Sequence, residues 1–468
     1  MRILLVLPAT DHLRVTRLSP SVPNRKMLRF SVLPLTAVAA LTPEGHEVRI
    51  CDENVEALDL DQHVDLVGVS FMTAYAQRAY EIAREFRRRG VVTVAGGYHP
   101  TFLPDEAARH FDAVVVGDAE GLWPQVVEDA AGGRLQPVYR QSTPPDLACV
   151  PEPRRDLVRR TARHYVTVDA VQTGRGCQHA CRFCSVTAFH GARRRSRPLT
   201  DVLRELRAID RDLIFVDDNI IADPDYARRL FEALVPMRKR WVSQCSLALA
   251  DDPALLRLAR RAGCRGLFIG VETTSPTNLA AMQKSVNRRE RYLESIGRIR
   301  RAGIGVIAGM IVGLDGDDAS VFRRTLRFLD EARIDALQLG ILTPLPGTPL
   351  FADMEREGRI LDRDWSHYDF RHVVFEPRRM TREQLQAGAD WLYAQYYRTD
   401  RILRRAARTL VAAGPTAALL ALRLNLTYRY DNRREGIRGF DPARRVARSA
   451  LAPQLSTASA PPPGGSSA

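Results

Sequence analysis

The chain has 468 residues and a formal net charge of +14. That length exceeds what one hydrophobic core usually supports, so two or three domains are expected. The first residues lack the charged region, apolar run and cleavage site of a secretory signal, which argues against a secreted, disulfide-stabilised protein. We therefore expect a cytoplasmic location, where clustered cysteines indicate metal binding or catalysis.

The positive charge is a poor indicator of nucleic-acid binding. Only Lys26, Lys239 and Lys284 are lysines, and all other basic residues are arginine, a skew that biased genomic composition explains better than phosphate binding. Thirteen arginines and four acidic residues lie between Arg398 and Arg448. The excess charge is therefore local to the last part of the chain, and no nucleic-acid partner is expected.

Residues 1–140 alternate apolar strands with amphipathic helices. Strand candidates are MRILLVLP, HEVRICDEN, VDLVGVSF, VVTVAGG and DAVVVGD, and the clearest helix spans 75–89. Continuous apolar strands separated by helices indicate a doubly wound parallel sheet of Rossmann type, with helices on both faces. Ligands of such sheets bind outside the carboxyl ends of the strands.

Residues 141–165 are rich in Pro and Arg and lack periodicity, which predicts a linker. A second alternating series fills 166–365 and contains six β/α repeats, from YVTVDAVQTG to DALQLGILTPL. This pattern predicts a partial (β/α)6 barrel whose chemistry lies at the carboxyl ends of its strands.

Residues 366–445 are predicted to form a mainly helical extension, and the Ser-, Pro- and Gly-rich 446–468 a disordered tail. The apolar stretch 409–422 is too short to span a bilayer and is interrupted by Pro415 and Arg423. It is either a helix packed on the barrel or an Arg-flanked helix that lies on a membrane surface.

Three of the seven cysteines lie within eight residues, directly after the first barrel strand. Cys177, Cys181 and Cys184 form C-x-x-x-C-x-x-C. This spacing lets one short loop turn three thiolates toward one metal centre, with one ligand fewer than a closed site requires. A structural zinc knuckle completed by His179 or His190 is the alternative.

This motif, in a barrel, resembles that of the radical S-adenosylmethionine (SAM) superfamily. The resemblance implies that the three cysteines bind a 4Fe-4S cluster, that SAM occupies the fourth iron, and that an electron from the cluster cleaves SAM to a 5′-deoxyadenosyl radical. It also implies SAM contacts at the barrel strand ends. The residues so implied are Phe183, Asp217, Asp218, Asn219, Glu272, Gly309 and Gly313.

F-V-D-D-N at 215–219 departs from the Gly-Gly-Glu that is usual in the superfamily, which leaves the individual roles of Asp217, Asp218 and Asn219 open, a helix N-cap being the alternative. Glu272 ends G-V-E and resembles the family residue that contacts the ribose or amino group of SAM. Gly309 and Gly313 resemble glycines that allow adenine to approach a strand, although strand glycines are more often packing features.

The N-terminal domain resembles the cobalamin-binding domain that precedes some radical SAM barrels. The resemblance rests on V-G-V-S-F, A-G-G-Y-H-P-T and V-G-D-A-E-G, and it implies cobalamin contacts at Ser70, Thr73, Gly96, Gly97, His99, Gly117 and Gly121. The signature D-x-H-x-x-G is absent because Asp11 and His12 are adjacent and Leu13 stands where histidine is needed. Cobalt is therefore expected to lack a histidine from this motif. A degenerate domain that binds nothing is the alternative.

The C-terminal segment D-W-S-H-Y-D-F-R-H-V-V-F-E-P-R-R-M at 364–380 resembles the extension of class B enzymes related to the hopanoid 2-methylase. Its aromatics Trp365, Tyr368 and Phe370 are candidates for a substrate cavity or for core packing.

The resemblance implies a cobalamin-dependent radical SAM methyltransferase that acts on an unactivated carbon of a lipid, terpenoid or natural product. Two SAM molecules would be used, one to methylate cobalamin and one to generate the radical, with electrons from a donor such as flavodoxin or ferredoxin. The basic C-terminal region is a candidate for peripheral membrane contact. No general acid or base is required by the sequence.

Three alternatives stay open at this point. The first is a cobalamin radical SAM enzyme that does not methylate, such as a cyclase or an enzyme that contracts a ring. The second is a methylthiotransferase acting on transfer RNA, but that family carries a further cysteine trio in its N-terminal domain, and here only Cys51 precedes residue 149. The third is an iron-sulfur or zinc scaffold that binds nucleic acid through the basic C-terminal region.

Overall fold

The computed structural model describes residues 1–10, 14–16, 32–165, 167–284 and 286–434. Within them the chain forms two six-stranded sheets in which every strand pair is parallel, followed by a helical extension. The predicted parallel α/β fold is confirmed. Asp11, His12 and Leu13, the predicted tail and the end of the extension at 435–445 lie outside the described residues.

The first sheet has the strand order β2-β1-β3-β4-β5-β6, so the chain reverses its direction of travel across the sheet between β1 and β3. Alternate residues of the strands enter two separate apolar cores, with Val67 and Val69 of β3 on one face and Leu66 on the other. Both faces are therefore covered, which explains the continuous apolar runs. The strands are β1 (Arg2–Leu7), β2 (Glu47–Asp52), β3 (Leu66–Ser70), β4 (Val92–Gly96), β5 (Ala113–Val116) and β6 (Val138–Arg140).

Five helices in the described residues accompany this sheet. They are α1 (Leu33–Leu41), α2 (Ala76–Arg87), α3 (Tyr98–Phe102), α4 (Pro104–Ala107) and α5 (Trp123–Ala131). Ala79, Ile82, Ala83 and Phe86 of α2 are fully buried, at the spacing that places them on one face of the helix.

The second sheet has the order β14-β13-β12-β11-β10-β7 and forms the partial barrel. A short antiparallel hairpin, β8–β9, flanks the segment with the three cysteines. The strands are β7 (Ala170–Val171), β8 (Gly174–Arg175), β9 (Arg195–Ser196), β10 (Asp212–Phe215), β11 (Arg240–Cys245), β12 (Cys264–Glu272), β13 (Gly305–Val312) and β14 (Ala336–Ile341).

The barrel helices pack on the outer face of this sheet through residues such as Leu267, Ile269 and Val271 of β12. They are α7 (Leu199–Ala208), α8 (Pro224–Met237), α9 (Pro253–Arg261), α10 (Pro276–Ala281), α11 (Tyr292–Arg301), α12 (Val321–Glu331) and α13 (Pro349–Arg356). Helix α6 (Ser185–His190) follows the three cysteines, and none of its side chains is buried. Phe268, Gly270 and Glu272 alternate with the buried β12 residues and are partly exposed on the inner side.

The segment 141–165 is more ordered than its aperiodic sequence indicates. It contains 3-10 turns at Leu147–Cys149 and Arg155–His164. Arg155 is buried and pairs with Glu205 of α7, and Arg160 pairs with Glu56 of the first domain. Arginines of this segment therefore connect it to both domains. Its order was not predicted because a 3-10 helix has neither the α-helical nor the strand periodicity.

The extension consists of α14 (Arg382–Tyr396) and α15 (Thr399–Arg434). Helix α14 covers the edge strand β14: the Tyr393 hydroxyl donates to the Leu339 carbonyl at 2.7 Å and accepts from its N–H at 2.9 Å. Tyr397 does the same at Leu337, with distances of 2.7 and 3.0 Å. Two side chains thus satisfy backbone groups that a further strand would otherwise pair.

The residues of α15 are helical but do not form one straight rod. The Arg405 guanidinium donates to Asn425 Oδ1 at 3.1 and 2.9 Å, and the Tyr397 and Tyr428 rings lie 5.8 Å apart. Because 20 residues of straight helix would span about 30 Å, the segment folds back on itself between Arg405 and Asn425. No helix in the described part of the chain is both long enough and apolar enough to cross a membrane.

Candidate active site

The cysteine loop (residues 177–184) follows strand β8 and leads into helix α6, and both lie between the two strands of hairpin β8–β9. None of its three cysteines forms a disulfide, and the Cys184 N–H donates to the Cys181 carbonyl at 3.1 Å. Gly176, directly before the loop, has a φ of +81°, and an added Cβ would collide with the Arg193 carbonyl. Only glycine fits this tight approach to the hairpin.

Lys284, a lysine that belongs to none of the predicted motifs, lies partly buried beside the cysteine loop. The Lys284 ammonium lies 3.0 Å from Glu272 Oε1, and its side chain is 16 % exposed. Burial lowers the pKa of Lys284, but the charges of Glu272 and Cys181 outweigh this effect and raise the pKa above its usual value. Glu272 itself has a φ of +65°, which is strained for a non-glycine residue and typical of functional sites.

The polar residues after β10 differ in how much hydrogen-bonding capacity they keep. Asp217 is fully buried, and its carboxylate accepts from the Thr173 N–H and hydroxyl and from Arg194. Asp218 accepts from the Gly176 N–H at 2.9 Å. Asn219 accepts from the Ser246 N–H, and its buried Nδ2 has no partner among the described residues. Asp217 therefore holds the hairpin, whereas Asn219 retains a donor for a ligand.

The remaining residues predicted to contact SAM lie beside side chains of the protein. Phe183 is partly buried against the main core. A Cβ at Gly309 would meet the Phe268 ring at 2.7 Å, and one at Gly313 would meet Leu385 of α14 at 2.7 Å. Gly313 thus has a packing role toward the extension, and the SAM contacts proposed for all of these residues stay predictions.

The carboxyl ends of β3, β4 and β5 are the edge at which a ligand of the first sheet is expected. Among the described residues, Cβ atoms added at Gly96 and Gly117 would meet no atom within 4 Å, so these residues leave space beside both backbones. Gly97, with a φ of +102°, would instead place a Cβ 2.7 Å from the Phe71 carbonyl. Ser70 ends β3, Thr73 is buried in the following turn, and Gly121 has a φ of +79°.

The imidazole ring of His99 is fully buried. Its Nε2 lies 2.9 Å from the Tyr80 hydroxyl, and Trp365 of the extension stacks edge-on against the ring. The Glu106 carboxylate accepts hydrogen bonds from His99, Tyr80 and Trp365. Burial raises the pKa of Glu106, but these hydrogen bonds outweigh burial and lower the pKa to about 2. Within the described residues His99 Nδ1 has no partner, and its predicted cobalamin contact stays a prediction.

The carboxyl ends of the two sheets meet at an aromatic junction. The ring of Tyr98, after β4, lies 4.6 Å from that of Phe189 in α6, directly beyond the cysteine loop. Phe102 packs on Gly347 so closely that a Cβ there would collide with its ring. The carboxyl edge of the first sheet and the cysteine loop of the second therefore share one region.

Comparison with known proteins identifies both halves. The family profile of the Radical SAM superfamily matches residues 171–329, and that of the B12 binding domain matches residues 29–127. A bacteriochlorophyllide d C-12(1)-methyltransferase from Chlorobaculum tepidum is 30 % identical over 390 residues, which cover 80 % of this chain and 84 % of the relative. The chain is a B12-binding radical SAM enzyme.

Other relatives agree with this assignment. A hopanoid C-2 methylase from Rhodopseudomonas palustris is 30 % identical and covers 72 % of this chain and 67 % of its own length. Among solved structures, TsrM from Kitasatospora setae with cobalamin and a [4Fe-4S] cluster has a TM-score of 0.62 at 18 % identity, covering 96 % of this chain and 99 % of TsrM. The cobalamin-dependent enzyme OxsB has a TM-score of 0.66 at 14 % identity, covering 97 % and 75 %. Both structures share the fold.

The cofactors of this radical SAM enzyme are a 4Fe-4S cluster, SAM and cobalamin. The cysteine loop fits the cluster, because its three thiols are free and lie close enough to influence one another's charge. Burial raises the pKa of Cys181 to about 11, so its proton must be displaced when iron binds.

The zinc knuckle predicted as the alternative would be completed by His179 or His190. No group of three or more His, Cys, Asp and Glu in the described residues is arranged to hold one metal ion. A zinc knuckle requires four donors around a single ion, whereas the cysteines of an iron-sulfur cluster each bind a different iron. His190 contacts Arg195 at 3.2 Å instead of the cysteines.

The two neighbouring glycines after β4 provide a test of the corrin site. We expect Gly96→Ala to leave thermal unfolding unchanged and to weaken hydroxocobalamin binding by about tenfold, because the methyl group enters the space beside the backbone. Gly97→Ala should instead destabilise the fold by about 1–3 kcal/mol through its positive φ and its contact with Phe71. Absorbance titration and denaturant unfolding measure the two effects. Unaltered corrin affinity in Gly96→Ala would place the corrin elsewhere.

Lys284 is predicted to hold the carboxylate of SAM. We expect Lys284→Gln to weaken SAM binding by about tenfold or more, since a hydrogen bond to a charged group contributes about 1.5–3 kcal/mol. Binding of 5′-methylthioadenosine, which lacks the carboxylate, should not change. Lys239→Gln is the control. Lys239 directly precedes β11 and donates to the Ile209 and Asp210 carbonyls, not to Glu272. Equal losses for both ligands in calorimetric titration would contradict the assignment.

Proposed function

We propose that this chain is a cobalamin-dependent radical SAM methyltransferase that adds a methyl group to an unactivated carbon of an apolar small molecule. The observation that supports it most is the junction of Tyr98 and Phe189, which joins the carboxyl edge of the first sheet to the cysteine loop. When bound, the cluster with SAM supplies a radical that removes hydrogen, and cobalamin supplies the methyl group. A chain that joins both sites can hold one carbon between them.

Partly exposed apolar side chains near the barrel opening support an apolar substrate. Phe268 lies on the inner side of β12, and Phe370 of the extension is 50 % exposed beside Gly340 of β14. Phe370 also has a φ of +65°, and its carbonyl accepts from the Ile341 N–H at the edge of the sheet. A strained, half-exposed aromatic residue at a sheet edge is typical of a binding site.

The protein's own residues have positioning roles in this proposal. Asp217, Thr173 and Arg194 fix the hairpin beside the cysteine loop, and Lys284 with Glu272 provides a cation and an anion for the amino-acid part of SAM. No side chain is assigned as general acid or base, because removal of a hydrogen atom requires neither. We propose a flavodoxin or a ferredoxin as the electron donor.

The decisive experiment combines anaerobic reconstitution with mass spectrometry of products. Protein loaded with iron, sulfide and hydroxocobalamin is incubated with SAM and a reductant, and with bacteriochlorophyllide d or a hopanoid, the compounds named for the two relatives. Methylation gives a product heavier by one CH2 unit. A product without added carbon would overturn methyl transfer in favour of a cyclase or a ring-contracting enzyme.

Cys181→Ala tests the radical step within this assay. The variant should abolish 5′-deoxyadenosine formation, because one iron of the cluster loses its ligand, while the protein still takes up hydroxocobalamin. Cys149→Ala is the matched control, since Cys149 is an exposed free cysteine outside the loop. Formation of 5′-deoxyadenosine at the wild-type rate in Cys181→Ala would refute the cluster assignment.

We also propose that α15 lies on an anionic membrane surface. Five of its large apolar side chains are at least 42 % exposed: Leu403, Leu410, Val411, Leu419 and Leu426. Arg404, Arg408 and Arg423 are exposed on the same helix. Apolar residues accompanied by arginines complement the acyl and headgroup layers of an anionic bilayer.

Vesicle sedimentation tests this surface. The protein should bind vesicles of phosphatidylglycerol and phosphatidylcholine, less at high salt, and a Leu410→Glu/Val411→Glu variant should lose most of the binding because charge replaces the exposed apolar side chains. Leu361→Glu is the control, as Leu361 is equally exposed outside α15. Failure to bind, or an equal loss in the control, would rule out this surface.

A further inference from the structure

Arg175 connects the two domains from a position two residues before the first cluster cysteine. Its guanidinium donates to both carboxylate oxygens of Glu120, at 2.9 and 2.6 Å, and lies 3.0 Å from Asp118. Both acids belong to the β5 loop (residues 117–121), which contains the predicted corrin contacts Gly117 and Gly121. The arginine side chain is 12 % exposed and the two carboxylates less.

The charges around this contact are balanced. Arg195 of β9 donates to Asp118 at 2.7 Å, so two guanidinium groups face two carboxylates. Burial lowers the pKa of nearby His190 to about 4, which leaves that ring neutral. Among the described residues, the Glu120 carboxylate accepts hydrogen bonds from Arg175 alone. Loss of Arg175 would therefore leave a buried carboxylate without its partner.

Both ends of the contact sit on constrained backbone. Gly176 is confined by the Arg193 carbonyl, and its N–H donates to Asp218. In the β5 loop, the Gly117 N–H donates to Thr101, and Gly121 has a positive φ. A shift of the β5 loop would thus act on the start of the cysteine loop through one rigid side-chain bridge.

We propose that Arg175 is a positioning residue that couples corrin binding in the first domain to cluster assembly in the second. Occupation of the cysteine loop fixes Arg175, and Arg175 then holds the β5 loop in the arrangement that receives the corrin. Because binding free energies are reciprocal, bound corrin must favour cluster assembly to the same extent. This inference rests on the proposed function only for the location of the corrin at the β5 loop.

Corrin affinity measured with and without the cluster tests the coupling. Hydroxocobalamin is titrated into wild-type protein before and after anaerobic iron-sulfur reconstitution, and we expect about fivefold or more tighter binding after it. In Arg175→Met the affinity should fall about tenfold, and the difference between the two states should disappear. Iron and sulfide content should stay at the wild-type level, because the cysteines are unchanged.

Further variants separate coupling from a general loss of structure. Arg175→Lys and Glu120→Gln are milder changes and should show intermediate losses. In the Arg175→Met/Glu120→Gln variant, the loss should be smaller than the two single losses combined, because no buried carboxylate is left unpaired. Arg182→Met is the matched control: Arg182 lies inside the cysteine loop but pairs with Asp353 of α13.

A spectroscopic measurement tests positioning directly. The magnetic interaction between cob(II)alamin and the reduced cluster reports their separation, and Arg175→Met should broaden its distribution relative to wild type and Arg182→Met. Wild-type corrin affinity that is equal in both cluster states, or unchanged by all Arg175 and Glu120 variants, would overturn the coupling. Absence of hydroxocobalamin binding in the wild type would instead contradict the proposed function.

Discussion

The buried ion pairs of Arg175 with Asp118 and Glu120 hold together the two edges at which this enzyme works. Each parallel sheet presents its ligand-binding loops at the carboxyl ends of its strands, so a two-cofactor site forms only if these two edges face one another. The aromatic contact of Tyr98 with Phe189 buries apolar surface, whereas the ion pairs fix the orientation of one edge relative to the other. Removing one partner of a buried pair typically costs about 3–5 kcal/mol, so this interface tolerates little rearrangement.

Much of the fold could be predicted because parallel sheets impose a strong pattern. The strand VVTVAGG is buried on both faces and is therefore almost continuously apolar, GVIAGMIVGL is similarly apolar along its length, and the intervening helices show helical spacing. The segment Arg155–His164 escaped this reasoning because its order comes from ion pairs with distant acids such as Glu205. Charge pairing between residues far apart in sequence leaves no local periodicity.

The part of the candidate site that one local motif encodes could be predicted from the sequence. The part formed by residues far apart in the sequence could not. The cysteine spacing indicates a metal centre by itself. Lys284, in contrast, approaches the loop from the segment after α10, and only the scarcity of lysine in an arginine-rich chain offered a signal. Similarly, Asp217 and Asn219 belong to one motif, yet Asp217 accepts hydrogen bonds from Thr173 and Arg194, while Asn219 Nδ2 has no partner in the described part of the chain.

Tyr393 of α14 and Tyr397, which directly follows this helix, cover the exposed edge of the barrel sheet. A partial barrel leaves β14 with a row of backbone groups that could template pairing with another chain, a hazard for any open sheet. Phenolic hydroxyls at Tyr393 and Tyr397 occupy four of these groups without adding a strand, since each both donates and accepts. The barrel can therefore stay open around a bulky substrate without exposing these unpaired backbone groups to strands of other chains.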